Sequence, residues 1–149
     1  MIDLVIDASV VLKWFRIEGE GRAQQARVVR TEFAAGRLAL HAPPLLKLEL
    51  INVAGRRWGW DEVRLSELAQ SLVELGLDFG EPDVRRVAIW TARGLTAYDA
   101  AYVALAEQEA IVLVTDDDRI LEIAAAIASP LVSVAEMLSR PPAANPGAP

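Results

Sequence analysis

The 149-residue sequence contains no cysteine and only one histidine, His41. Without cysteine the chain can form no disulfide, no zinc–thiolate site and no thiol nucleophile. A single histidine excludes a histidine-rich metal site and disfavours a Ser-His-Asp triad. Carboxylates are therefore the main reactive groups that this chain offers.

The sequence also lacks a basic leader and a long apolar run. Residues 1–7 carry two acids and no basic side chain, which is unlike a signal peptide. No apolar stretch approaches the length of a membrane span. We expect a cytoplasmic protein with no membrane contact. The length is typical of one domain, and an apolar share of 53% is ample for a core.

Excess positive charge is missing as well, because the formal net charge is −6. This disfavours a passive nucleic-acid binder, which usually carries a basic face. The negative net charge does not exclude a nuclease whose acids are gathered in one metal-binding pocket. The arginine pairs at 56–57 and 85–86 could hold phosphates, although solvated helix faces explain each pair more simply. We predict packing or interface roles, rather than base stacking, for the tryptophans Trp14, Trp58, Trp60 and Trp90.

Short apolar segments alternate with segments of helical pattern. The predicted strands cover residues 2–6, 38–42, 111–114 and 131–134, with a minimal strand at 77–79. The predicted helices cover residues 10–15, 20–35, 43–57, 61–75, 81–93, 96–109 and 117–127. Such alternation predicts an α/β fold, with a central parallel sheet of four to five short strands inside an α/β/α sandwich.

The carboxyl-terminal segment differs in composition from the rest. Residues 141–149 read Pro-Pro-Ala-Ala-Asn-Pro-Gly-Ala-Pro, which has little to pack into a core. We therefore predict one domain over residues 1–140 and a flexible Pro/Ala-rich tail over residues 141–149.

Four acids occupy settings that suit a shared site. Two of them follow predicted strands, and two lie in adjoining helices: Asp7, Glu49, Asp99 and Asp117. In open α/β sheets the ligand site lies beyond the carboxyl ends of the strands. Carboxylates at the ends of buried strands are costly unless something positive lies between them. A shared divalent cation meets this need, and oxygen-only ligands favour Mg²⁺ or Mn²⁺.

Each acid also has a purely structural interpretation. Asp7 could cap a helix, and Asp99 with Thr96 resembles a capping box. Glu49 shares a helical stripe with Asn52 and Arg56 and could simply face water. Asp117 belongs to a run of three acids, which is usually solvated.

Four segments together resemble the PIN domain, and especially the VapC ribonuclease toxins of bacterial toxin–antitoxin pairs. They are Val5-Ile6-Asp7-Ala8-Ser9, the stretch from Pro44 to Asn52, the stretch from Thr96 to Ala106, and Val114-Thr115-Asp116-Asp117. No single segment is specific. All four stand in the family's order and span nearly the whole chain before the tail.

The resemblance implies a PIN-like nuclease domain with catalytic and metal-binding roles for Asp7, Glu49, Asp99 and Asp117. Ser9, Asn52 and Thr115 match further polar positions of the family's site. A shift of one residue would make Asp116, rather than Asp117, the metal ligand. One carboxylate could accept a proton from the attacking water, and Asp99 or Asp117 is the expected acceptor.

The implied activity is Mg²⁺-dependent hydrolysis of RNA phosphodiester bonds, with Mn²⁺ as the alternative metal. The likeness to VapC further implies a cognate antitoxin that blocks the active-site groove, and a homodimer. The alternative is a non-catalytic PIN-like module that binds RNA or protein, but the presence of all four acids argues against it. A phosphatase is disfavoured, because the chain has no GxxxxGK loop and Asp7-Ala8-Ser9 lacks a second aspartate.

Overall fold

The computed structural model describes residues 1–16, 18–19, 21–141 and 147. Within them five strands form one sheet: β1 (Ile2–Ile6), β2 (Leu38–Ala42), β3 (Asp78–Phe79), β4 (Val112–Thr115) and β5 (Ala128–Pro130). Every neighbouring pair is parallel, and the strand order is β3-β2-β1-β4-β5. The predicted α/β fold with a central parallel sheet is confirmed. The predicted flexible tail lies, apart from residues 141 and 147, outside the described residues.

Eight helices within the described residues flank this sheet: α1 (Ala8–Phe15), α2 (Ala23–Ala34), α3 (Leu45–Arg56), α4 (Glu62–Glu74), α5 (Val84–Ala92), α6 (Ala97–Glu109), α7 (Asp118–Ile123) and α8 (Leu131–Ser139). Helix α6 packs on β1 and β4 and is covered by α5. Helix α2 packs on β2, α1 and α8, while α3 packs on α1 and α4. In the part of the chain that the structure describes, no helix is long and apolar enough to cross a membrane.

The centre of the sheet is apolar on both faces, as a parallel sheet between helices requires. In β1, Leu4, Val5 and Ile6 are all buried although alternate residues point to opposite faces. Helix α6 is buried over seven consecutive residues, from Ala100 to Ala106. A helix that is apolar on all sides lies inside the molecule rather than on its surface. This enclosure fixes the position of every side chain that α6 carries towards the sheet edge.

The strand predicted at residues 131–134 is wrong. The last strand, β5, ends at Pro130, and Leu131 begins α8. Leu131, Val134 and Ala135 are buried, whereas Val132 and Ser133 are exposed. This spacing of three and four residues is that of a helix lying on the core, and the Val-Ser-Val sequence hid it.

The helix predicted at residues 117–127 is shorter than expected, because α7 ends at Ile123. The amides of Ile127 and Ala128 both donate to the carbonyl of Ala124, so the chain turns there. The turn lets β5 pair with β4, where the amide of Leu113 donates to the carbonyl of Ile127. Strand pairing thus overrides the helical preference of the alanine-rich segment.

The strand order determines where a ligand can enter. The chain goes from β1 to β2 on one side and later returns to β4 on the other side of β1. In parallel sheets a crevice opens beyond the carboxyl ends of the strands at this change of direction. Asp7 directly follows β1, and Asp117 lies two residues beyond β4. The fold therefore places these two acids at the crevice.

Candidate active site

Asp7 lies at the carboxyl end of β1 with only 4% of its surface exposed. One carboxylate oxygen, Oδ2, accepts hydrogen bonds from the hydroxyls of Ser9 at 2.6 Å and Thr115 at 2.9 Å. Asp7 holds the N-cap position of α1, but its side chain makes no capping hydrogen bond. The Asp7 carboxylate therefore does not cap α1, and its hydrogen bonds go to Ser9 and Thr115 instead.

The same two hydroxyls join the turn after β1 to the turn after β4. The Ser9 hydroxyl accepts from the amide of Asp116 at 3.0 Å, and the Thr115 hydroxyl accepts from the amide of Asp117 at 3.0 Å. The amide of Asp7 also donates to the carbonyl of Val114 at 3.0 Å. This network fixes the β4–α7 turn against Asp7, and with it the backbone that carries Asp117.

Glu49 on α3 forms the opposite part of the site. Its Oε1 accepts a hydrogen bond of 2.7 Å from the hydroxyl of Tyr102 on α6. Tyr102 is fully buried. Burial raises the pKa of this phenol, as does the negative charge of Glu49, so the hydroxyl stays a donor. Glu49 is thus held by a core side chain instead of being a freely solvated residue beside Arg56.

Tyr102 was not predicted as a site residue. The available signal was a tyrosine inside an apolar helix, three residues after Asp99 and therefore on the same face. A buried phenol needs a polar partner, and the nearest acids in the sequence pattern were the obvious candidates. The missing information was that Glu49 of α3 comes within hydrogen-bond distance of this face of α6.

Asp99 lies in the first turn of α6. The Thr96 hydroxyl accepts from the amide of Asp99 at 3.1 Å, so Thr96 caps the helix as expected. Asp99 borders a groove of about 760 Å³ together with Glu49 and Asn52. The remaining lining side chains are Leu45, Leu48, Ile51, Thr96 and Tyr98. Two of the predicted acids and the predicted Asn52 thus share one open groove.

The neighbouring acids Asp116 and Asp117 have different surroundings. Asp116 forms ion pairs with Lys13 at 3.1 Å and with Arg22 at 2.5 Å. Asp117 accepts from the amides of Arg119 and Ile120 through Oδ1 and so caps α7. Its negative charge also acts on Asp7 and Asp99. Asp116 is therefore compensated by cations of the chain, whereas Asp117 contributes to the field of the acid group.

The pKa values of three of these acids are raised. Burial, reinforced by the charges of Asp99 and Asp117, raises the pKa of Asp7 from 3.8 to about 6, although the Ser9 and Thr115 hydroxyls oppose this. Burial also raises the pKa of Glu49 from 4.5 to about 7, opposed by Tyr102 and supported by Asp7 and Asp99. The pKa of Asp99 is raised by burial and then by Asp117. Asp99 and Asp117 thus act on Asp7, while Asp7 and Asp99 act on Glu49.

A divalent cation matches the donor chemistry of this group. Among residues 1–16, 18–19, 21–141 and 147, no three acidic or histidine side chains are already arranged as a cage for a metal ion. Mg²⁺ does not require such a cage, since it usually binds one or two carboxylates and completes its shell with water and substrate phosphate. The acids at the crevice offer oxygen donors, and burial together with the charges of Asp99 and Asp117 raises the pKa of Asp7. Their assignment as metal ligands stays a prediction.

Comparison with known proteins identifies the family. The model of the PIN domain matches residues 4–126, which is most of the chain. The protein therefore belongs to the PIN domain family. PIN domains are generally nucleases and typically use divalent metal ions. The predicted PIN domain family is confirmed, and the VapC-like toxin subtype stays a prediction.

The fold is shared with a solved structure, described as the crystal structure of PAE2754 from Pyrobaculum aerophilum. The TM-score is 0.66, and the match covers 93% of this chain and 97% of the other at 23% sequence identity. At this identity the likeness shows the fold alone. A search of curated proteins gave no match.

The first prediction concerns the electrostatic cost of Asp7. Because its folded pKa is raised, the folded state binds more protons than the unfolded chain between about pH 4 and 6. Metal-free wild-type protein should therefore lose stability as the pH rises through this window. Asp7→Asn removes the charge and should stabilise the metal-free protein at pH 8 by up to about 3 kcal/mol.

Chemical denaturation in EDTA at pH 8 and pH 4 measures this effect. The gain in Asp7→Asn should shrink strongly at pH 4, where the wild-type carboxyl group is protonated. Asp78→Asn removes an exposed carboxylate and serves as the control, with little change at either pH. An Asp7→Asn protein that is less stable than wild type at pH 8 would show that its carboxylate is not under electrostatic strain.

The second prediction concerns Tyr102→Phe, which removes the donor to Glu49 and keeps the ring. Loss of a hydrogen bond that orients a metal ligand commonly weakens metal binding by about 10- to 100-fold. We expect calorimetric titration to show at least tenfold weaker Mn²⁺ binding. Tyr98→Phe removes an exposed hydroxyl beside the groove and should bind Mn²⁺ as wild type does. Equal Mn²⁺ affinity in Tyr102→Phe and wild type would show that Tyr102 does not support metal binding.

Proposed function

We propose that this protein is an endoribonuclease that requires Mg²⁺, with Mn²⁺ as the alternative, and that it is the toxin of a toxin–antitoxin pair. One observation carries the nuclease proposal. Burial and neighbouring carboxylates raise the pKa values of Asp7, Glu49 and Asp99 beside the carboxyl edge of a parallel sheet, in a chain of a family whose members are generally nucleases. Hydroxyl groups of neighbouring residues donate to Asp7 and Glu49 and hold both carboxylates in place. This argues against a non-catalytic binding module.

The surroundings of each residue indicate its role in the proposed reaction. Ser9 and Thr115 hold the carboxylate of Asp7, and Tyr102 holds that of Glu49. A divalent ion bound among these acids would lower the pKa of a water, orient it and neutralise charge on the phosphate. The residues of the chain hold the carboxylates in position and accept the proton that this water releases.

Asp99 is the proposed proton acceptor. It borders the open groove, and its pKa is raised by burial and by Asp117, which makes the carboxylate a stronger base. Asp117 is less suited, because one of its oxygens already caps α7. Asn52, exposed in the same groove, can donate a hydrogen bond to a phosphate oxygen of the RNA.

The toxin proposal rests on the likeness to VapC proteins. The groove beside the acids carries exposed apolar side chains, with Leu48 71% and Tyr98 66% exposed. An apolar segment of an antitoxin could cover this groove, and an antitoxin arginine would suit the acid group. The homodimer and the cognate antitoxin are expected on the same grounds.

A paired substitution tests the nuclease proposal. Asp117→Asn keeps the cap of α7, since asparagine also caps helices, and removes only the charge. Asp116→Asn removes the same charge from the ion pairs with Lys13 and Arg22. We expect Asp117→Asn to lower RNA cleavage at least 100-fold at any Mn²⁺ concentration, whereas Asp116→Asn should cost less than tenfold.

Cleavage of labelled single-stranded RNA is measured with Mg²⁺, with Mn²⁺ and with EDTA. Wild-type cleavage that persists in EDTA would refute the metal requirement. If Asp116→Asn is the inactive variant, the fourth ligand is Asp116 and the reaction class survives. The same variants expressed in a bacterial host test the toxin role, since growth arrest should require Asp117.

A further inference from the structure

A second group of side chains suited to nucleic acid lies away from the acids, where α1 ends and α4 begins. We call it the Trp–Arg cluster, formed by Arg16, Trp58, Trp60 and Arg64. The Trp58 and Trp60 ring centroids are 5.2 Å apart. The guanidinium of Arg64 lies 4.1 Å from the Trp60 centroid, and that of Arg16 lies 5.4 Å from the Trp58 centroid. These residues, with Phe15 and Glu18, line a cavity of about 220 Å³.

The arginines near this cluster form no ion pair within the described part of the chain. Arg22, Arg37 and Arg86 all form ion pairs with acids. Among the residues that the structure describes, by contrast, no carboxylate pairs with Arg16, Arg56, Arg57 or Arg64. A guanidinium stacked on an indole still has its N–H groups available for a phosphate. In a chain of net charge −6, these arginines gather positive charge in one region, where Glu18 is the acid that lines the same cavity.

The two tryptophans are held in place before any ligand arrives. The amide of Trp58 donates to the carbonyl of Val53, and the amide of Trp60 donates to that of Ala54. Gly59 between them has a φ of +67°, which favours glycine in this tight turn. Both rings pack partly on the core, so their orientation costs little further entropy on binding.

These two tryptophans differ from the other two. The indole of Trp14 donates to the carbonyl of Ala26 at 2.8 Å, and Trp90 is 5% exposed, so both are packing residues as predicted. Trp58 and Trp60 are only partly buried. Within the described residues neither indole N–H has a hydrogen-bond partner. Trp58 and Trp60 are therefore the two tryptophans for which the predicted interface role, rather than packing alone, stays open.

Two helices connect the acid site to the Trp–Arg cluster. Helix α1 starts directly after Asp7 and ends at Phe15, beside the cluster. On α3, Glu49, Asn52 and Arg56 lie on one stripe, and the rise per residue puts Arg56 about 10 Å from Glu49 along the axis. Proteins bind single strands over sites of roughly 4 to 16 nucleotides. One RNA strand can therefore reach both regions.

We propose that the Trp–Arg cluster is a binding subsite for single-stranded RNA, several nucleotides from the bond that is cleaved. The indoles stack on a base, and Arg16 and Arg64 contact phosphates, while Asn52 and Arg56 lie along the path between the two regions. The choice of RNA as ligand rests on the proposed function. The subsite itself rests on the unpaired arginines and the fixed indoles.

Binding of a labelled 16-nucleotide RNA, followed by fluorescence anisotropy in EDTA, tests the subsite without cleavage. The double substitution Arg16→Gln/Arg64→Gln should weaken binding roughly tenfold or more at about 0.1 M salt. It should also reduce the slope of log K against log salt by about 1.4, the expectation for two lost contacts to single-strand phosphates. Trp60→Leu should weaken binding about tenfold without changing this slope, because stacking releases no counterions.

The control is Arg27→Gln/Arg85→Gln, which removes the same charge from two exposed arginines that form no ion pair within the described chain. It should bind RNA within twofold of wild type. Thermal melting of each variant confirms that the protein is folded. If both double variants lost the same RNA affinity, the effect would come from overall charge rather than from the cluster, and the proposal would be overturned.

Two further outcomes separate this subsite from the rest of the account. If Arg16→Gln/Arg64→Gln binds RNA as wild type does but changes the oligomeric state in light scattering, the cluster is a protein interface and the proposal fails. If RNA binding falls as expected while wild type cleaves no RNA with Mg²⁺ or Mn²⁺, the subsite holds and the proposed function fails.

Discussion

The burial of one carboxylate, that of Asp7, organises the centre of this molecule. Asp7 directly follows the middle strand of the sheet and is almost wholly enclosed. Its Oδ2 is satisfied by two hydroxyls, and those hydroxyls in turn accept the amides of Asp116 and Asp117. The loop that carries the fourth acid is therefore built around the first. A residue that only terminated the strand would not need this network.

The hydrogen bonds hold these carboxylates in fixed positions, but keeping their charges buried and close together is electrostatically unfavourable. Two hydroxyl donors lower the pKa of Asp7, yet burial and two neighbouring acids leave it near 6. Glu49 shows the same pattern, with Tyr102 as its donor and a pKa near 7. The chain thus holds several carboxylates where their charges are unfavourable. Natural proteins accept such strain mainly at functional sites, and a ligand that binds only the folded state would relieve it.

The sequence was informative wherever a local pattern and the fold agreed. The apolar runs of β1 and β2 and the Thr96 cap of α6 are local signals, and the structure has these elements where they were predicted. The β5–α8 boundary was missed because Val-Ser-Val alternates like a strand, whereas Leu131 and Val134 meet the core at helical spacing. The contact between Tyr102 and Glu49 joins residues 53 positions apart, and no local pattern encodes the approach of α3 to α6.

The central claim is that Asp7, Glu49, Asp99 and Asp117 form one site for a divalent cation in a PIN-domain nuclease. The most direct measurement is anomalous X-ray diffraction from crystals soaked in Mn²⁺, collected at the manganese absorption edge. The account predicts an anomalous peak bonded to oxygens of at least two of these carboxylates. No peak at the crevice at millimolar Mn²⁺, or a peak bound only to Asp116 and other acids outside this group, would contradict it.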